Sequence, residues 1–200
     1  MIYPIEYGII PNAELVVDRN EVLARLQMSR NSDIPLSFGC VEELEKNIFC
    51  KFSAVRTTVM TRDGKFVDCG FGEVLSLSLA KNLGDCRECF VFAVTLGVGV
   101  DRYLGKLALT SPSDHFIADA FASAYAESAA DKVETFLCGN VKHRPRFSPG
   151  YGDLDLSCQA KVLELTTAGR LLGISLNKSL LMSPMKTITA IVGIENEQNQ

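Results

Sequence analysis

Residues 113–139, SDHFIADAFASAYAESAADKVETFLCG, constrain the fold more than any other stretch. They read as one long helix that Ser113 caps and Gly139 ends. Ile117, Phe121, Ala124, Ser128 and Val133 approximate a core-facing stripe. Asp119, Ala122, Ser123, Ala126 and Ala130 make an adjacent face of small side chains around a carboxylate. Such a face lets another backbone, or a flat ligand, approach closely.

Other elements must pack around that helix. Residues 18–29 read as a short helix with Asp18 or Asn20 at its cap, and VEELEKNIFCKF from Val41 reads as a second. The first 50 residues are therefore expected to be a helical N-terminal region of a single domain spanning 1–200. SAVRTTVMTRDGKFVDCGF alternates and breaks at Asp63-Gly64, the pattern of a β-hairpin. SLSLAKNLG reads as a helix closing on Gly84, CFVFAVTLG as a buried strand, and a further helix follows from about Asp101. Residues 157–172 read as one helix. LLMSPMKTITAIVGI reads as a Met-Ser-Pro turn feeding a strand, and residues 195–200 as a frayed tail. Strands separated sometimes by turns and sometimes by helix pairs point to an α+β class.

A net charge of −4, scattered along the chain, argues against nucleic-acid binding. The opening residues carry no positive leader region, and the longest apolar run, FVFAVTLGVGV, is too short to span a bilayer. The expectation is a soluble cytoplasmic protein with no membrane partner. The seven cysteines (40, 50, 69, 86, 89, 138 and 158) are irregularly spaced and read as reduced, buried hydrophobes. Cys86 and Cys89 form a lone C-x-x-C, with His115 and His143 far off in sequence. A structural zinc needs four ligands, so no metal site is expected.

Two motifs compete for a binding role. VTLGVGVD places Gly97 and Gly99 between a strand and a helix, like a dinucleotide-binding turn. Arg102 occupies the third glycine position, however, and a hairpin precedes the unit, so a plain strand-to-helix turn is the better reading. The stretch RPRFSPGYGDLDLSCQAK is more unusual. Pro145 and Pro149 stiffen the backbone on both sides of Arg146, Gly150 permits close approach, and Tyr151 adds an aromatic wall. A rigid arginine suits the carboxylate of a small zwitterion. It equally suits a connector whose arginine pairs with an acid of the protein itself.

Arg146-x-x-x-Gly150-Tyr151 resembles the R-x-x-x-G-Y signature of the activation domain of cobalamin-dependent methionine synthase. IADAFASAYAE resembles that family's long helix and puts Asp119 at its acidic position. MSPMKTITAIVG resembles the segment entering its last strand, and EVLARL its early helix. After Gly-Tyr this chain has GDLDLSCQ in place of the large enzyme's proline and C-P-D-H run, and it looks like the short, free-standing members. The resemblance implies a twisted, largely antiparallel sheet with flanking helices. It also implies binding of S-adenosylmethionine (AdoMet), with Asp119 toward the ammonium or sulfonium side and Arg146 on the carboxylate. The backbone around Ser148 and Gly150 would meet the nucleoside, and Tyr151 and Lys186 would stand at the rim. The implied role is reactivation, in trans, of a corrinoid-carrying methionine synthase or methyltransferase whose electron comes from a flavodoxin-like donor. The alternative is a non-catalytic protein that caps a corrinoid domain without binding AdoMet.

Overall fold

The computed structural model describes residues 2–28 and 38–195. Its elements in chain order are β1 (Ile2–Ile9), α1 (Arg19–Arg25), α2 (Gly39–Lys46), β2 (Lys51–Thr58), β3 (Met60–Arg62), β4 (Phe66–Asp68) and β5 (Val74–Leu75). There follow α3 (Leu77–Leu83), β6 (Glu88–Thr95), α4 (Val98–Thr110), α5 (Pro112–Cys138), α6 (Cys158–Leu165), α7 (Ala168–Leu172), β7 (Ser175–Leu176), β8 (Met182–Ser183) and β9 (Thr187–Ile194). The main sheet has the order β1-β2-β6-β9, and every pairing in it is antiparallel. Smaller antiparallel sheets join β3, β4 and β5, and β7 to β8. The class is α+β, as read from the sequence.

Alternation along the central strands divides the core into two layers. Phe90, Phe92 and Val94 of β6 pack with α5, α2 and α4 on one face. Cys89 and Val91 turn to the opposite face, against α3 and α6. Both faces are covered, which is why β6 reads as an unbroken apolar run. Helix α5 lies between the sheet and the outer helices. Ala118, Ala122, Ala126 and Ala130 are buried along with Phe121, Ala124 and Val133, so nearly its whole central circumference is packed. Ser128, placed in the core stripe by its spacing, is buried and accepts the Val16 N–H at 2.8 Å.

Several boundaries differ from expectation for local reasons. The N-terminal region is not wholly helical: β1 forms the sheet edge beside β2, with Ile5, Tyr7 and Ile9 exposed. Helix α2 stops at Lys46, because residues 51–58 are drawn into the sheet. Asp18 does cap α1, accepting the Asn20 N–H at 2.8 Å. At α5, Ser111 is the cap and Pro112 opens the first turn, so Ser113 lies inside the helix. The single helix read over 157–172 is broken into α6 and α7 by Thr167, which has a left-handed φ of 53°. The hairpin turn at Asp63-Gly64 is present, with φ of 53° and 64°. The tail read as frayed lies, beyond Glu195, outside the described residues. Among those residues no helix is long and apolar enough to cross a membrane.

Candidate ligand cleft beside the β9 edge

The Arg-Pro segment runs antiparallel along the outer edge of β9. Phe147 and Ile191 exchange backbone hydrogen bonds of 2.9 and 2.8 Å, and the Arg144 N–H donates to Gly193 O at 2.8 Å. At Ser148-Pro149 the segment leaves the sheet. Gly150, at φ 91°, then donates its N–H to Leu154 O at 2.8 Å and closes a compact turn. Tyr151 packs edge-on against Phe147 at 5.9 Å. The proline spacing thus makes a short edge strand followed by a stiff departure from it. Between residues 187 and 189 no strand among the described residues pairs with the outer side of β9. Backbone groups alternate sides along a strand, and Ile191 and Gly193 point outward. Thr189 and Thr187 therefore turn their N–H and C=O groups toward this gap.

The gap is the floor of a cleft of about 550 Å³. Arg146, Ser148 and Tyr151 line one wall, and Glu127, Asp131 and Glu134 of α5 line the other. Arg146 bridges the two walls. It donates to Asp131 at 2.5 Å, to Glu134 at 2.7 Å and to Glu127 at 3.3 Å. Burial works against the guanidinium charge, but Asp131 and Glu134 outweigh it and raise its pKa. His143 Nδ1 sits 3.2 Å from the other oxygen of Glu134. Of the two readings left open for Arg146, the structure displays the pairing with acids of the protein itself. Those three acids were not singled out from the sequence. Their spacing of four and three residues was visible, but it reads as an ordinary solvated helix face.

Asp119 and Lys186 lie apart from this cluster and meet each other. Lys186 Nζ is 2.7 Å from Asp119 Oδ1 and donates to Ser123 Oγ at 2.8 Å. Neither residue lines the cleft, although Asp119, Ser123, Glu127 and Asp131 follow one another at four-residue steps on the same face of α5. The structure therefore brings Arg146, Ser148 and Tyr151 together, with Gly150 in the adjoining turn, and places Asp119 and Lys186 nearer the helix start. Two deeply buried polar groups also face the cleft. Thr189 is 3% exposed, and its hydroxyl has no partner among the described residues. Gln159 is 6% exposed and uses its amide N–H on Leu180 O at 3.2 Å.

The competing glycine motif has a packing explanation. A Cβ on Gly99 would lie 2.5 Å from Asn47 O, and one on Gly97 3.1 Å from Phe49 O. Both glycines let the start of α4 press against the 47–49 backbone. Both neighbours of β6 are antiparallel, so the strand-turn-helix is not part of a parallel dinucleotide-binding unit. Cys86 and Cys89 are buried. Burial pushes the Cys86 thiol up despite the nearby Arg144, and contact with Cys69 together with burial pushes Cys89 up further. Both thiols are poor thiolate sources at neutral pH.

No protein-family model matches the sequence, and a search of curated proteins finds no match. Among solved structures, the crystal structure of the MetH reactivation domain bound to AdoHcy is similar. It is 14% identical, with a TM-score of 0.69 over 98% of this chain and 80% of that one. At that identity the likeness concerns architecture, and it agrees with what the R-x-x-x-G-Y resemblance implied: the chain has the fold of the MetH reactivation domain.

Proposed function

We propose that the chain is an AdoMet-binding reactivation module that serves a cobalamin-dependent methionine synthase, or a related corrinoid methyltransferase, in trans. The observation that carries this reading is a coincidence of place. In a chain with the MetH reactivation-domain fold, the R-x-x-x-G-Y segment forms the wall of a cleft of about 550 Å³. That volume is in the range of small-molecule sites. The cleft also fits the chemistry of a nucleoside with a charged tail. Thr189 offers an unengaged hydroxyl, the β9 edge offers backbone donors and acceptors, and Tyr151 offers a ring face. The charged groups lie together at the α5 wall.

In this role the protein binds and orients. AdoMet supplies the methyl group, and a corrinoid partner supplies the metal that receives it after one-electron reduction by a flavodoxin-like donor. The rigid turn at Pro149 and Gly150 fixes the nucleoside end, while the α5 wall and Arg146 fix the tail. The reacting atoms must come within a few ångströms, so the cleft face is also the docking face. The partner must leave again for turnover, which calls for a small, transient interface.

The ion pairing of Arg146 favours a second reading, in which the chain caps a corrinoid domain without AdoMet. Calorimetric titration separates the two. Saturable AdoMet binding that is lost in Thr189→Val and weakened in Tyr151→Ala supports the first. Heat-silent titration, with an intact complex to a corrinoid partner, supports the second.

A further inference from the structure

We propose that the chain forms a two-fold dimer in which β1 pairs with β1 of a second copy, edge to edge and antiparallel, to make one continuous sheet. The edge concerned is the far one. In the order β1-β2-β6-β9 the cleft lies beside β9, so the pairing is independent of what the cleft binds. No strand among the described residues pairs with the outer side of β1. Edge strands of soluble proteins are usually blunted by proline, lysine, an inward charge or a bulge. Here Pro4 and the register shift between Ile2 and Ile5 both fall at the start of the strand. Residues 5–9 run on in unbroken register with β2.

The hydrogen-bond ladder fixes which backbone groups of that stretch face outward. Ile10 donates its N–H to Cys50 O at 3.0 Å, so Gly8 and Glu6, two and four residues back in the same register, also turn toward β2. Ile5, Tyr7 and Ile9 therefore turn their N–H and C=O groups away from the sheet. Their side chains share one face of the strand and are 39%, 48% and 54% exposed. The same three residues thus carry both the open hydrogen-bonding groups and an exposed apolar stripe.

A second copy is the fitting occupant because the stretch matches itself. Tyr7 is the centre of residues 5–9. With the two-fold axis beside it, Tyr7 faces Tyr7 of the second copy, and Ile5 faces Ile9 in both directions. All three are then hydrogen-bonded pairs, and every outward N–H and C=O of the stretch finds a partner. On the stripe face isoleucine meets isoleucine and ring meets ring, pairs that stabilise antiparallel sheets. On the other face Glu6 falls opposite Gly8 of the second copy, so the charge in the stretch meets no like charge directly across. Moving the register by two residues in one direction would set Glu6 against Glu6. Moving it the other way would carry Ile5 past the end of the strand. The matched register is isologous, and it leaves one cleft open at each outer β9 edge.

Sedimentation velocity of the full chain across a concentration series tests the pairing. The mass should rise from one chain to two. Pairing over so short a stretch is small beside the ~1,600 Å² of a standard interface, so a midpoint on the order of ten micromolar is expected. Tyr7→Pro removes an outward N–H while the bonds of Glu6 and Gly8 to β2 remain. Ile9→Lys places a charge on the stripe and leaves the backbone alone. Each should weaken dimerisation about tenfold or more, whereas Leu109→Ser, at an exposed position on α4, should not change it. Amide hydrogen exchange on the wild-type protein reads the register and needs no variant to fold. At high concentration the Ile5, Tyr7 and Ile9 amides should exchange several-fold more slowly than at low, while those of Glu6 and Gly8 are protected at both. A chain that stays single at every concentration would overturn the pairing and leave the edge to an extended segment of another protein. A dimer that both variants leave intact, or that leaves the three outward amides unprotected, would overturn it as well.

Discussion

Helix α5 meets the β9 edge through two ionic clusters on one face, and the two are built to opposite rules. Near the helix start, Asp119 and Lys186 form a balanced pair, with Ser123 taking a second donor of the ammonium. Farther along, three carboxylates surround Arg146. The balanced pair satisfies itself and lies outside the cleft. The unbalanced cluster stands just before the Arg-Pro segment, a strap along the sheet edge, leaves β9, and the space beside it stays open as the cleft. The difference teaches that charge on this face follows the space beside it: the pair outside the cleft is balanced, and the cluster that lines the cleft is not.

The largest effect should come from removing the cation of the unbalanced cluster. Arg146→Ala leaves three acids side by side on one helix with no cation between them, Glu134 the least able to reach water. A loss of about 2–4 kcal/mol of unfolding free energy is expected, the scale for breaking an ion pair that is largely buried. Urea denaturation measures it. A loss within error of zero would mean that the acids simply swing into solvent, and that Arg146 is no keystone of the strap.

The balanced pair should matter less. A double-mutant cycle on Asp119→Asn and Lys186→Met is expected to give a coupling of about 1 kcal/mol, since Asp119 is 44% exposed although Lys186 is 14% exposed. Each change should add to Arg146→Ala without coupling, because the two clusters share no partner. Strong coupling between Asp119 and Arg146 would instead show that the helix face works as one network.

The sequence disclosed these two clusters unequally. Arg146 stood out because two prolines and Gly150-Tyr151 surround it, and local rigidity is a property of neighbouring residues. Its partners are on a different element, and nothing local distinguishes Glu127 or Glu134 from any exposed helix acid. The same limit explains β1, whose strand state depends on β2 lying beside it. It also explains α5, where burial on nearly all sides hides the one-face periodicity by which a surface helix is read. The hairpin at Asp63-Gly64 and the caps at Asp18 and Gly84 were legible because each depends on only a few consecutive residues.

A third tie holds the strap beyond the cleft and contrasts with both ionic clusters, because its partners are neutral. Asp153 accepts from Ser76 Oγ at 2.6 Å and from the backbone N–H groups of Leu77 and Ser78 at 2.8 and 3.0 Å, and so caps α3 from across the fold. The Ser76 hydroxyl, and then the Ser78 N–H, hold its carboxyl well below the usual carboxylate range. The sign of the pH effect follows from linkage. The unfolded chain binds a proton near pH 3.9, as ordinary aspartates do, whereas the folded protein takes it up only at lower pH. The stabilisation is therefore complete above about pH 4 and fades as pH falls through the depressed folded value. Asp153→Asn keeps an acceptor but cannot carry the charge. The gap in melting temperature between wild type and this variant should be small and constant from pH 7 down to about 5, and should shrink on further acidification. A gap that stays the same down to about pH 2.5 would assign the tie to hydrogen-bond geometry alone, and the ionised carboxylate would then add nothing to the hold on the strap.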